Sequence, residues 1–209
     1  MIKKFPTIKS GCKILIICEG FEEYDYVVRL KECNVWSSAY NIKPRNAKSI
    51  DNIIAIYQNE YQNSNYDLIT ILCDTEIVPY EQFSKLRKAI NSFHGNNAAD
   101  KLIIFANPCT MQIVLSHFDK IKLSSNSKTK NAALIQKLTG VADYMAEENQ
   151  RGAIMKHISP ENYLTMKSNL AGISTVYTSV PGTNVVSWFE LFEHEDTKWV
   201  KKINKEVEK

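Results

Sequence analysis

An α/β fold is predicted, with an open parallel sheet of about four strands flanked by helices and a helical C-terminal extension. Three observations carry this. Short apolar runs of strand length alternate with amphipathic stretches of helical spacing from residue 12 to about 118. The runs are apolar almost throughout, as strands buried on both faces are. Beyond Phe118 every remaining segment has helical character. The division follows as an α/β domain over 12–120 and a helical extension over 121–209 packed on it.

Taken in order, Lys13-Ile-Leu-Ile-Ile-Cys18 is the first strand, and it stops at Glu19-Gly20. Phe21 to Cys33 spaces Tyr24, Val27, Val28 and Leu30 as a helix does. Val35 to Pro44 reads as a less regular second strand, and Ala47 to Gln62 as a helix carrying Ile50, Ile53, Ile54 and Tyr57. Asp67 to Cys73 is strand three, ending at Asp74, and Tyr80 to Phe93 the next helix, stopped by His94-Gly95-Asn96-Asn97. Lys101 to Ala106 is strand four, and Pro108 opens a helix through Phe118, proline being suited to a first turn. Ser124 to Lys130 is a polar linker. Helices are then expected over Thr129–Leu138, Val141–Arg151, Ser159–Leu170 and Thr183–Phe192.

Composition narrows the class without naming a function. The 209 residues carry a formal net charge of +3, too small to require a nucleic-acid partner, and ordinary apolar and charged fractions argue against global disorder. Five scattered cysteines (Cys12, Cys18, Cys33, Cys73, Cys109) include no Cys-x-x-Cys pair, so a reduced, cytoplasmic protein is expected. Met1 to Pro6 has charges but no apolar stretch of signal-peptide length, and no window approaches a membrane span.

The chemistry resides in acids at strand ends. Glu19 closes strand one, and Asp74 and Glu76 follow strand three, so a parallel sheet puts all three on one rim. Three carboxylates with little nearby sulfur or imidazole suit a hard cation such as Mg²⁺ or Mn²⁺. Such a site could orient and cleave a phosphodiester, with Glu19 alternatively a general acid or base. The plainer alternative is that acids at these positions merely meet solvent and cap turns. Asn107, ending strand four on the same rim, is either a catalytic amide holding phosphate or water, or a helix cap. Lys43, Arg45 and Lys48 near the end of strand two are candidate nucleic-acid contacts, or ordinary solvated cations.

Cys18-Glu19-Gly20 closing a first strand, with Asp74-Thr75-Glu76 closing a later one, resembles the Toprim catalytic fold of topoisomerases, bacterial primases and overcoming-lysogenization-defect nucleases. With Asn107-Pro108-Cys109 leading to His117-Phe118, and Pro181-Gly182-Thr183-Asn184 opening a late helix, it is similar to RloB-like proteins, among them the second component of the abortive-infection system AbiL. The resemblance implies a metal-dependent endonuclease of a phage-defence system, acting on nucleic acid with a partner ATPase of AAA or ABC type. It implies Glu19 as catalytic acid/base and Asp74 with Glu76 as metal ligands. The chain departs from the pattern at Glu76, where an aspartate is usual, at Thr110-Met111, where Phe-Glu is usual, and at Glu22-Glu23 in place of Thr-Glu. Two rivals stand beside this reading: a catalytically inactive Toprim-like adaptor that binds an ATPase or nucleic acid, and a phosphoryl-transfer enzyme for a small molecule. Homo-oligomerisation is compatible with any of them.

Overall fold

The computed structural model describes residues 11–76, 78 and 80–208. Met1 to Pro6 lies outside them. The sheet is built first from β1 (Cys12–Cys18), β2 (Tyr40–Asn46), β3 (Leu68–Asp74) and β4 (Ile103–Asn107), all parallel, with β5 (Gly182–Thr183) antiparallel at the edge. The order is β2-β1-β3-β4-β5. The chain first steps from β1 outward to β2, then returns across β1 to β3. The β1/β3 junction is therefore the topological switch point, the place where open α/β sheets bind ligands outside the carboxyl ends of their strands.

Ile14 to Cys18 and Leu68 to Cys73 are buried without a break, which explains why these strands read as continuous apolar runs. Helices α1 (Phe21–Glu32), α2 (Ile50–Asn63) and α3 (Glu81–His94) connect them. Ser49 caps α2 by accepting the Asn52 N–H, and Gly95, at φ +71°, ends α3 in the left-handed conformation that glycine adopts without strain.

Several boundaries differ from the sequence expectation. The second strand begins at Tyr40, because Asn34 turns the chain at φ +52° and Val35 and Trp36 pack on the core from a loop. Lys101 and Leu102 belong to a short helix, α4 (Ala99–Leu102), that precedes β4. Pro108 does not open a helix: the helical turn α5 (Met111–Leu115) starts three residues later. Helices α6 (Lys128–Thr139), α7 (Glu148–Lys156), α8 (Pro160–Leu170) and α9 (Val185–Glu193) follow. The stretch from Val141 to Glu147 is not helical, since Asp143 and Ala146 both take positive φ. One further helix, α10 (Lys198–Val207), buries Val200 and Val207 and was not expected.

The C-terminal segment joins the sheet and the core. Thr183 donates its hydroxyl to the Phe105 carbonyl at 2.7 Å, and the Asn184 amide brackets the same strand through Phe105 N–H and Ile103 C=O. A Cβ on Gly182 would stand 2.6 Å from the Ser179 carbonyl oxygen, so only glycine fits there. Helix α9 sends Trp188, Phe189 and Phe192 into an aromatic cluster with Tyr26, Trp36 and Tyr40. Among the described residues no helix is long and apolar enough to cross a membrane, and all five cysteines are free.

Candidate functional site

Glu19 is the first residue beyond β1, and Asp74 is the last residue of β3. The Asp74 backbone N–H donates to Glu19 Oε2 at 3.1 Å, so the Glu19 side chain lies across the switch point. Asp74 is held in turn by Thr110, whose N–H and hydroxyl donate to the same oxygen, Oδ1, at 2.6 and 2.7 Å. Thr110 immediately precedes α5, so the loop after β4 orients the acid at the end of β3.

A further carboxylate was missed by sequence reasoning. Glu23, in the first turn of α1, is buried and accepts the Gly20 N–H at 2.9 Å. That bond fixes the tight passage from β1 into α1. The helical offset from Gly20 was the available signal, a glutamate three residues after a helix-capping position.

The acids perturb one another. Burial first, then the neighbouring Glu23 charge, push Glu19 up to about 8 against the opposing Asp74 N–H, with Glu76 adding least. Asp74 is raised well above the usual carboxylate range by burial, then by Glu23 and Glu19, with the Thr110 hydroxyl pulling the other way. Glu23 is raised mainly by burial. Crowded, poorly solvated carboxylates of this kind are relieved by a proton or by a cation.

Glu19, Asp74 and Glu76 line one cavity of about 170 Å³, together with Glu22, Lys128 and Tyr144. Glu19 and Asp74 also line an adjoining space of about 290 Å³ with Phe21, Lys48, Lys128 and Arg151. The cleft thus carries both acids and cations. Tyr144 donates its hydroxyl to Glu22 at 2.7 Å, and the Lys128 ammonium lies 3.9 Å from the same carboxylate. Arg151 is buried, with Nε on Asp25 at 2.6 Å and Nη1 on the Ala146 carbonyl.

Among the described residues no three His, Cys, Asp or Glu side chains are disposed to close on one ion. Magnesium needs less: it is commonly held by one or two carboxylates, with waters and substrate phosphate oxygens completing its shell. The chemistry of the Glu19–Asp74 pair fits that requirement, with Glu76 on the same cavity wall.

The other expected residues divide. Lys48 joins the cleft, whereas Lys43 and Arg45 lie on the edge strand β2, with Arg45 bound to Glu60 at 2.6 Å. Asn107 is buried outside the two acidic cavities: its Nδ2 donates to the Tyr177 carbonyl at 2.7 Å and to the Tyr80 hydroxyl at 3.3 Å. Asp74 pairs with Ala106 across the ladder, and the alternation of a strand turns the next side chain, Asn107, to the opposite face. Nor does Asn107 cap α5. Lys128, Arg151 and Phe21 had not been singled out, because two of them come from the segment beyond residue 120 that only the fold brings back to the rim.

His117 is a core residue. Asn162 Oδ1 accepts the Ser159 N–H, which identifies it as the amide oxygen, so His117 Nδ1 carries the proton donated to it at 3.0 Å. Nε2 then accepts from the Tyr26 hydroxyl at 2.9 Å. A more voluminous cavity, about 770 Å³, opens at the other end of the sheet beside Cys12 and Asp67, with Glu195 as its one other acid among the described residues. The rim at the carboxyl ends is therefore the candidate site. No protein-family model, curated protein or solved structure matches the chain.

Proposed function

We propose that the chain is a nuclease dependent on Mg²⁺ or Mn²⁺, hydrolysing phosphodiester bonds in RNA, tRNA or DNA. The observation that carries this reading is the Glu19–Asp74 contact at the β1/β3 switch point, in a cleft also lined by Lys48, Lys128 and Arg151. The likeness to RloB-like Toprim proteins extends it to a cytoplasmic role in bacterial abortive infection beside a partner ATPase.

Glu19 and Asp74 would hold the ion, with Glu76 within the same cavity. Once bound, the ion supplies Lewis-acid stabilisation of charge developing on the phosphate oxygens. The remaining work belongs to side chains. Thr110 fixes Asp74 through two hydrogen bonds, so its free oxygen faces a defined direction. Lys48 and Lys128 attract the phosphate backbone to the rim. Where Asp74 and Glu76 hold the ion instead, Glu19, raised to about 8 in the metal-free chain, is suited to receive a proton from water or return one to the leaving oxygen.

The test is cleavage of tRNA, single-stranded DNA and duplex DNA by the purified chain in Mg²⁺ or Mn²⁺, with and without the partner ATPase. Glu19→Gln and Asp74→Asn are expected to lower the rate roughly 100-fold or more while leaving the fold intact. A well-folded wild-type chain that cleaves nothing under any of these conditions would overturn the nuclease in favour of the adaptor.

A further inference from the structure

Phe21 is the first residue of α1, directly after Glu19-Gly20, and half of its surface is exposed. It lines the same cavity as Glu19 and Asp74. The guanidinium of Arg151 lies 4.9 Å from the centre of its ring. That guanidinium is immobilised by Asp25 and by the Ala146 carbonyl, so the ring is backed by a fixed cation. Hydrophobic burial does not account for a phenylalanine here, since Phe21 is half exposed and lines a polar cleft. Stacking does: an aromatic face held rigidly against arginine loses little entropy when a planar group lies on it.

Resting on the nuclease reading, we infer that Phe21 is a base-stacking platform and that the substrate strand is single-stranded or locally unpaired at the cleavage site. A base can lie on this ring only if it has left its own stack, because paired bases in a duplex offer no free face. Lys48 and Lys128, lining the same cavity, are placed for the phosphates that flank the stacked nucleotide. The platform selects single strands over duplexes and tolerates many sequences, since every base presents a π-face. It makes Phe21 a specificity-determining residue that performs no proton chemistry.

Binding tests this separately from turnover. Fluorescence anisotropy in Ca²⁺ would compare the full chain's affinity for a labelled 12-nucleotide single-stranded DNA, the RNA of the same sequence, and the matching DNA duplex. The single strands are expected to bind more tightly than the duplex. Phe21→Ala is expected to weaken single-strand binding roughly tenfold with little change for duplex, while Phe21→Trp retains it. The DNA and RNA arms show which sugar is preferred, and tighter binding of either over duplex supports the inference. Equal affinities of wild type and Phe21→Ala, absence of single-strand binding, or preference for the duplex overturn it. Metal-dependent cleavage that Phe21→Ala leaves untouched sinks the platform and spares the nuclease. Phe21-dependent binding without cleavage does the reverse.

Discussion

The Asp74 N–H and the Glu19 carboxylate meet at 3.1 Å although 55 residues separate them along the chain. The bond ties the ends of two adjacent parallel strands and turns a carboxylate that would otherwise face solvent across the top of the sheet. Both acids have a raised proton affinity, caused first by burial and then by the neighbouring Glu23 charge, and the Asp74 N–H only partly offsets this for Glu19. A proton or a cation at the rim would relieve it.

Thr110 is predicted to govern how well the pair takes an ion. Thr110→Val keeps the shape and the backbone N–H but removes the hydroxyl that reaches Asp74 at 2.7 Å. Metal affinity measured by calorimetry is expected to fall roughly tenfold, the usual effect of losing a hydrogen bond behind a ligand. Thr110→Ser should restore most of it. Equal affinity in all three proteins would separate Thr110 from the site.

His117 sets a stability profile in acid. Burial holds it down to about 4, well below the ordinary histidine value, despite the opposing Asn162 bond. The unfolded chain therefore takes up its proton first as pH falls. Stability is full above the unfolded value of about 6.5 and is lost progressively down through 4, by on the order of 2–3 kcal/mol. Chemical denaturation across that window should show wild type losing more stability than His117→Gln, which does not titrate. Parallel curves would contradict the assignment.

Phe189 tests whether the C-terminal segment shares one core with the sheet. It is fully buried and touches the rings of Tyr26, Trp36, Tyr163 and Phe192. Phe189→Ala is expected to cost about 3–5 kcal/mol. The loss should appear in a single unfolding transition followed by tryptophan fluorescence and by far-ultraviolet circular dichroism. Two separate transitions would mean that the segment folds independently.

The central strands were legible because burial on both faces writes itself as unbroken runs such as Ile14 to Cys18. Glu19, Asp74 and Glu76 were legible as strand-end acids. Glu23 was hidden, since an acid in a first helical turn has an ordinary reason to be there. Phe21, Lys128 and Arg151 carry no local signature: their meaning depends on how α1, α6 and α7 meet above the rim. The late helix α10 was obscured by its lysines, although Val200, Ile203 and Val207 repeat at helical intervals. Asn107 was misjudged because its position at a strand end was legible and the face it points to was not.

The sheet's antiparallel edge has a consequence for synthesis. Gly182 and Thr183 come from far along the chain, yet they cover β4, which was made some eighty residues earlier. A ribosome must translate nearly the whole sequence before that flank of β4 can be sealed. Until then a bare apolar strand waits for a partner, so nascent chains and premature stops upstream of Gly182 are the species most in need of a chaperone.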